Sequence, residues 1–160
     1  MATLPQLIEA DVRLFDEALT EFIGQTGAIG ALVIDKGGFL LTHVGNLGDL
    51  DLTTLGALAS GAFMASQTMA GLVNEKNFNS TYQQGEKFSL YILEVDEQCL
   101  LAIIFGAEAG LGLVKYYSSN AASRIAQQLA IAQKRDPANG FDLSALNVAD
   151  SQALFRRKTI

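Results

Sequence analysis

The sequence predicts an α+β domain in which a five-stranded antiparallel sheet carries helices on both faces, in the order α-β-β-α-β-β-β-α. Two tight turns, 35–38 and 96–98, join neighbouring strand-like segments, and such short connections favour antiparallel hairpins. The segments 28–34 and 99–105 are apolar on both faces, which indicates strands that are covered on two sides. No strand–helix–strand repeat is visible, so a parallel sheet is not expected.

Each predicted element depends on the spacing of its apolar residues. Apolar residues recur at helical spacing in the first and last helices; Pro5 suits a first turn, and Asp136-Pro137 ends the last helix. Short, β-branched or alternating runs between turns predict the strands. The predicted elements are, in order, helix 4–23, strands 28–34 and 39–44, helix 53–76, strands 78–83, 88–95 and 99–105, and helix 111–133.

The middle helix, residues 53–76, carries no charged side chain before Glu75, and Asp51 or Thr53 offers an N-cap. We expect one of its faces to lie on the sheet, formed by Leu55, Leu58, Ala62, Ala65, Met69, Leu72 and Val73. The adjacent side, called here the small-residue flank, consists of Ala57, Gly61, Met64, Thr68 and Gly71. An ordinary exposed flank would be rich in Lys, Glu and Gln, and helix glycines indicate close approach of another backbone. A second chain is therefore expected to cover this helix.

Composition limits the class of protein. At 160 residues and 17.1 kDa the chain is long enough for one domain with a proper core, which we place at residues 1–135, before a C-terminal tail at 136–160. The net charge of -6 disfavours nucleic acid and anionic lipid as partners. No apolar run approaches the roughly 20 residues that span a bilayer, no signal sequence opens the chain and there is one cysteine. We therefore expect no membrane insertion and a cytoplasmic location.

The sequence offers no convincing catalytic or metal site. His43 is the only histidine and lies in a predicted strand, where a half-buried structural role is expected. Cys99 opens an apolar strand and is expected to act as a small hydrophobe. One histidine and one cysteine cannot form a conventional zinc site, and the glycine-containing segment 106–112 lacks the GK[ST] ending of a phosphate loop. We predict no cofactor, no metal and no enzymatic activity of the chain's own.

The C-terminal tail keeps several large apolar residues before a basic Arg-Arg-Lys ending. Two interpretations remain open. The tail is either a chain end that packs weakly on its own domain, or an amphipathic segment that docks into the groove of a partner. The candidate contact residues in the second case are Phe141, Leu143, Leu146, Leu154 and Phe155.

Four stretches of the chain carry a family resemblance. They read LVIDKGGFLLTHVG, LDLTTLGALASGAFMASQTMAGLVNEKNF, QGEKFSLYILEV and LLAIIFGAEAGLGLVKYY, and they fall within residues 28–117. In these stretches the chain resembles the Roadblock family of dynein-light-chain-like proteins, and in particular its MglB-type bacterial members.

The resemblance implies a homodimer whose sheets join edge to edge and whose middle helices lie side by side, with Phe63, Gln67, Phe78 and Tyr82 at the dimer interface. It also implies that the dimer binds a Ras-like small GTPase of the MglA type through the small-residue flank. The dimer would then stimulate GTP hydrolysis by repositioning the GTPase's own residues without an arginine finger, and the tail would contact the GTPase and promote nucleotide exchange. A cytoplasmic protein concentrated at a cell pole is the implied location.

Two other functions stay open at this point. One is a dimeric scaffold that tethers protein partners without altering nucleotide chemistry. The other is a small-ligand sensor, since sheets backed by helices can enclose pockets, but the near-continuous apolar strands favour a filled core. The fold alone does not separate these functions.

Overall fold

The strands form one antiparallel sheet in a computed structural model that describes residues 4–135. The sheet order is β2-β1-β5-β4-β3, so β5 lies at the centre and β2 and β3 are the edges. The predicted fold class and element order are confirmed. The elements are α1 (Glu9–Thr26), β1 (Gly30–Asp35), β2 (Leu40–Gly45), α2 (Leu52–Leu72), β3 (Ser80–Gln84), β4 (Phe88–Glu94), β5 (Cys99–Gly106) and α3 (Leu111–Gln133).

The sheet separates two apolar cores. On one face α1 and α3 pack against it, with Phe15, Phe22, Ile125 and Leu129 fully or almost fully buried. On the other face α2 packs alone, and its core joins Phe63 to Leu32, Ile34, Ile92 and Leu100. Because β1 and β5 contribute side chains to both cores, their sequences are apolar throughout, as strands covered on two faces require.

The first helix begins later than its apolar spacing predicts. It starts at Glu9 rather than residue 4, because the Asp11 carboxylate accepts a hydrogen bond from the Ile8 backbone N–H at 2.8 Å and so closes the first turn there. Pro5 therefore precedes the helix instead of opening it. The helix continues to Thr26 and ends at Gly27, whose φ of 71° is the left-handed conformation that favours glycine.

The second helix is shorter than predicted at its end. The Asp51 carboxylate caps its start by accepting a hydrogen bond from Thr54 N–H at 3.1 Å, as the sequence predicts. The helix stops at Leu72, and two residues later Asn74 takes a φ of 60°, which turns the chain out of the helical path. The last helix has the predicted bounds, Leu111–Gln133.

Between residues 4 and 135, none of the helices combines the length and apolar character needed to cross a bilayer.

Candidate partner-binding surface

Helix α2 is uncharged over all 21 of its residues, although only one side of it contacts the sheet. The residues buried against the sheet are Gly56, Ala59, Ser60, Phe63, Ser66 and Ala70. The remaining circumference is exposed or partly exposed and consists of small, apolar and hydroxyl-bearing side chains and one amide, that of Gln67. A solvent-facing helix side normally carries charges, so this side is suited to contact another protein.

The small-residue flank lies on this exposed side. Ala57, Gly61, Met64, Thr68 and Gly71 are all exposed. A Cβ placed on Gly61 or Gly71 meets no atom of the described residues within 4 Å, so no contact within residues 4–135 requires glycine there. Glycine inside a helix costs roughly 0.5–1 kcal/mol relative to alanine, and packing within residues 4–135 does not account for this cost.

The predicted sheet-facing side of α2 is correct for Leu55, which packs against the core, but wrong for its other large residues. Leu58 is 67% exposed and Leu72 is 80% exposed, and Met69 and Val73 are exposed as well. The helix instead turns Phe63 and five small residues to the sheet, and the β1–β2 hairpin comes so close that a Cβ on Gly56 would lie 3.2 Å from Ile34 Cγ2. Leu58, Met69, Leu72 and Val73 therefore form a second exposed surface, called here the apolar row, which sequence reasoning placed in the core.

The β1–β2 hairpin fixes α2 in this orientation. The Ser60 hydroxyl donates a hydrogen bond to Lys36 O at 2.6 Å. Lys36 Nζ lies 3.4 Å from Glu94 Oε2 and 6.0 Å from the centroid of the Phe63 ring. These contacts hold the hairpin, the end of β4 and α2 together at one end of the sheet. The exposed side of α2 is therefore a preorganised surface.

The residues predicted for the dimer interface take different positions. The assignment of Phe63 is wrong, because its side chain is fully buried inside its own chain and leaves no surface for a second copy. Gln67 Nε2 donates a hydrogen bond to Phe78 O, which holds the approach to β3 against α2. Tyr82 lies on the edge strand β3, 39% exposed, and its ring stacks on Phe105 with centroids 6.2 Å apart. Gln67, Phe78 and Tyr82 stay predictions.

The side chains considered for chemistry have no activating surroundings. His43 is exposed on the edge strand β2, not half-buried as predicted. Cys99 is buried, and burial together with the nearby Asp96 and Asp35 raises the pKa of its thiol to about 12, so it packs as a small hydrophobe as predicted. The described part of the chain holds no group of three or more His, Cys, Asp or Glu side chains arranged to bind a metal ion. The predicted tail contacts Phe141, Leu143, Leu146, Leu154 and Phe155 lie outside the described residues.

Comparison with known families identifies the fold. Residues 14–105 match the Roadblock/LC7 domain. The chain belongs to this family. The match begins inside α1 and ends in β5, so it includes the whole of α2 and both of its exposed surfaces.

Among solved Roadblock structures the chain is similar to MglB proteins. A structure described as MglB with tetrameric arrangement is 34% identical, covers 82% of this chain and 99% of its own, and has a TM-score of 0.77. The gliding protein MglB of Thermus thermophilus is also 34% identical, with 81% and 98% covered and a TM-score of 0.75. MglB of Myxococcus xanthus is 25% identical, with 81% and 97% covered and a TM-score of 0.75. The predicted resemblance to MglB-type Roadblock proteins is confirmed.

A further relative matches more than two thirds of this chain. It is an uncharacterised protein of Methanocaldococcus jannaschii that is 27% identical over 112 residues, which make up 70% of this chain and 96% of that protein.

Proposed function

We propose that this Roadblock protein is a homodimeric regulator of a Ras-like small GTPase of the MglA type, and that it stimulates GTP hydrolysis without a catalytic group of its own. The single observation that carries the proposal is the uncharged exposed side of α2. The likeness to MglB structures over 81–82% of the chain supports it. One of those structures is described as a gliding protein, which fits a role in a polarity or motility system.

The GTPase is proposed to sit on the small-residue flank. This surface has two glycines with open space above them and no charged side chain, so the backbone of a partner can approach closely. Met64, 49% exposed, stands between them as a flexible apolar contact that adapts to the partner's shape.

The proposed mechanism is differential binding. An arginine finger would have to come from the contact surface, but α2 contains no arginine or lysine. The neighbouring Lys36 is paired with Glu94 and is only partly exposed. A neutral platform can raise the rate of hydrolysis by binding more tightly to the conformation in which the GTPase has already placed its own catalytic residues.

The second copy is proposed to pack on the apolar row and along the edge strand β3. The apolar row would be exposed to solvent in an isolated chain, and it consists of the large side chains Leu58, Met69, Leu72 and Val73. Strand β3 pairs with β4 on one side only, so its outer backbone groups are open to a second strand. This arrangement supports self-association with Gln67, Phe78 and Tyr82 nearby, and without the predicted part for Phe63.

The experiment is a single-turnover GTP hydrolysis assay with a Ras-like GTPase encoded in the same genome. The full chain is expected to bind the GTP-loaded form more tightly than the GDP-loaded form and to raise the hydrolysis rate. A variant without the tail apolar residues Leu154 and Phe155 tests the proposed tail contact and its effect on nucleotide exchange. Absence of binding contradicts the proposal, whereas binding with unchanged hydrolysis points to a scaffold that only tethers proteins.

A further inference from the structure

A buried carboxylate joins the beginning of α1 to the end of α3. Asp11 is 0% exposed and accepts four hydrogen bonds. Two come from the Arg135 guanidinium at 2.8 and 2.9 Å, one from Gln128 Nε2 at 2.7 Å and one from Ile8 N–H at 2.8 Å. We call this arrangement the Asp11–Arg135 clasp. Paired parallel N–H bonds from an arginine give directional as well as electrostatic attachment.

The clasp differs from the other ion pairs between residues 4 and 135. In Arg13–Glu9, Arg124–Glu21 and Lys36–Glu94 both side chains keep contact with water. Taking a carboxylate fully out of water carries a desolvation penalty, so a buried ion pair is a poor device for stability alone. Its better-attested use is to fix one arrangement of the chain against alternatives.

The last turn of α3 has little else to hold it. The buried stripe of the helix ends at Ala132, while Ile131, Gln133 and Lys134 are exposed. Helix ends fray unless side chains fasten them. Arg135 stands just beyond the helix, its N–H bonded to Ala132 O at 3.1 Å, and its side chain reaches back to α1. The polar clasp therefore takes the place of an apolar anchor.

We propose that the Asp11–Arg135 clasp is the anchor that fixes the last turn of α3 against the start of α1, and with it the position of Arg135, the residue that precedes the tail. Arg135 is in this sense a positioning residue. Phe141, the first large apolar residue of the tail, follows six residues later, a reach of at most about 20 Å along an extended chain. Loss of the clasp frees the end of α3 and lowers the effective concentration of the tail at a bound partner.

The test compares the full chain with Arg135→Gln, which leaves Asp11 hydrogen-bonded to Ile8 and Gln128. Arg135→Lys, which keeps the charge but not the paired geometry, is a second variant. Arg13→Gln is the matched control, because it breaks an ion pair on α1 whose side chains are both exposed. Amide hydrogen exchange is followed in residues 129–135, with 101–103 of β5 as a measure of global unfolding.

Arg135→Gln is expected to speed exchange in 129–135 at least tenfold, with Arg135→Lys in between and Arg13→Gln like the wild type. Exchange in 101–103 is expected to rise as well, because global unfolding also breaks the clasp. Phe63→Ala, which removes a buried ring on the other face of the sheet, is expected to speed exchange in 101–103 but not in 129–135. Unchanged exchange in 129–135 with Arg135→Gln, or an equal rise there with Phe63→Ala, overturns the anchor. This arm needs no partner.

The second arm rests on the proposed function. With the GTP-loaded GTPase, Arg135→Gln is expected to raise the Kd of the full chain by roughly tenfold, through the lower effective concentration of the tail. If the wild type binds and Arg135→Gln binds equally well despite local fraying, the clasp does not control the tail. If the wild type itself does not bind, the proposed function fails while the exchange arm still decides the anchor.

Discussion

Gly38 of the β1–β2 hairpin lies directly against Ala57 of α2: a Cβ on Gly38 would stand 3.2 Å from Ala57 Cα. Gly38 also has a φ of 98°, a conformation that side chains with a Cβ rarely adopt. Hairpin and helix can approach this closely only because both partners lack bulk at the contact. The contact fixes which side of α2 faces the sheet and which side is left for other proteins.

Replacing Gly38 by alanine is expected to lower the free energy of unfolding by about 1–3 kcal/mol, since the backbone conformation and the contact with Ala57 both resist a Cβ. Gly24→Ala in α1 is the control, because a Cβ there meets nothing within 4 Å and alanine favours the helix. Chemical denaturation measures both. Equal stability of the two variants would contradict the close hairpin–helix contact.

The orientation of α2 is tested by comparing Phe63 with Leu58. Phe63→Ala removes a fully buried ring and is expected to cost about 3–5 kcal/mol of unfolding free energy at any protein concentration. Leu58→Ala truncates an exposed side chain, so its effect should appear as weaker self-association and depend on protein concentration. Denaturation at several concentrations separates the two effects. A larger, concentration-independent loss for Leu58→Ala would reverse the assigned faces.

These two residues also show where the sequence is informative. Helix α3 carries apolar residues at helical spacing among polar ones, so its bounds are predicted correctly. In α2 no charged residue marks the water side, and large apolar residues occur on opposite sides. Its length and contact role could be predicted, but its rotation could not, because that depends on the shape of the hairpin beneath it.

Long-range polar contacts could not be predicted from the sequence either. Asp11 and Arg135 are 124 positions apart, and the residues around each of them do not indicate that the two side chains form an ion pair. The available signal was an acidic residue in the first turn of an amphipathic helix, which also moves the helix start to Glu9. The apolar row was missed as a surface for the same reason that the rotation of α2 was missed.

Gly61→Ala is expected to affect stability and binding in opposite directions. Alanine should raise the free energy of unfolding by up to about 1 kcal/mol, because the added methyl group meets no atom of residues 4–135 within 4 Å and favours the helix. The same methyl group should weaken binding of the GTPase, measured by isothermal titration. An Ala variant that is more stable and binds equally well would remove Gly61 from the contact surface.

Acid sensitivity follows from Asp11. Burial alone raises the pKa of its carboxyl, but hydrogen bonds from Arg135, Ile8 and Gln128 outweigh this and hold the pKa below its usual value of 3.8. A lowered folded-state pKa means that the stabilisation is complete well above pH 3.8 and is lost as the pH falls through the lowered value. Asp11→Asn is therefore expected to flatten the fall in unfolding free energy below about pH 4, measured by denaturation between neutral and acidic pH. An unchanged acid profile would contradict the role given to the clasp.

The most direct measurement of the central claim is single-turnover GTP hydrolysis by the Ras-like GTPase with wild-type protein, with Thr68→Arg and with Ser123→Arg. Both variants place an arginine on an exposed helix position, the first on the small-residue flank and the second on α3 across the sheet. The wild type and Ser123→Arg are expected to stimulate GTP hydrolysis, whereas Thr68→Arg is expected to lose both binding to the GTPase and stimulation of hydrolysis. Full stimulation by Thr68→Arg would contradict the assignment of the GTPase to this side of α2.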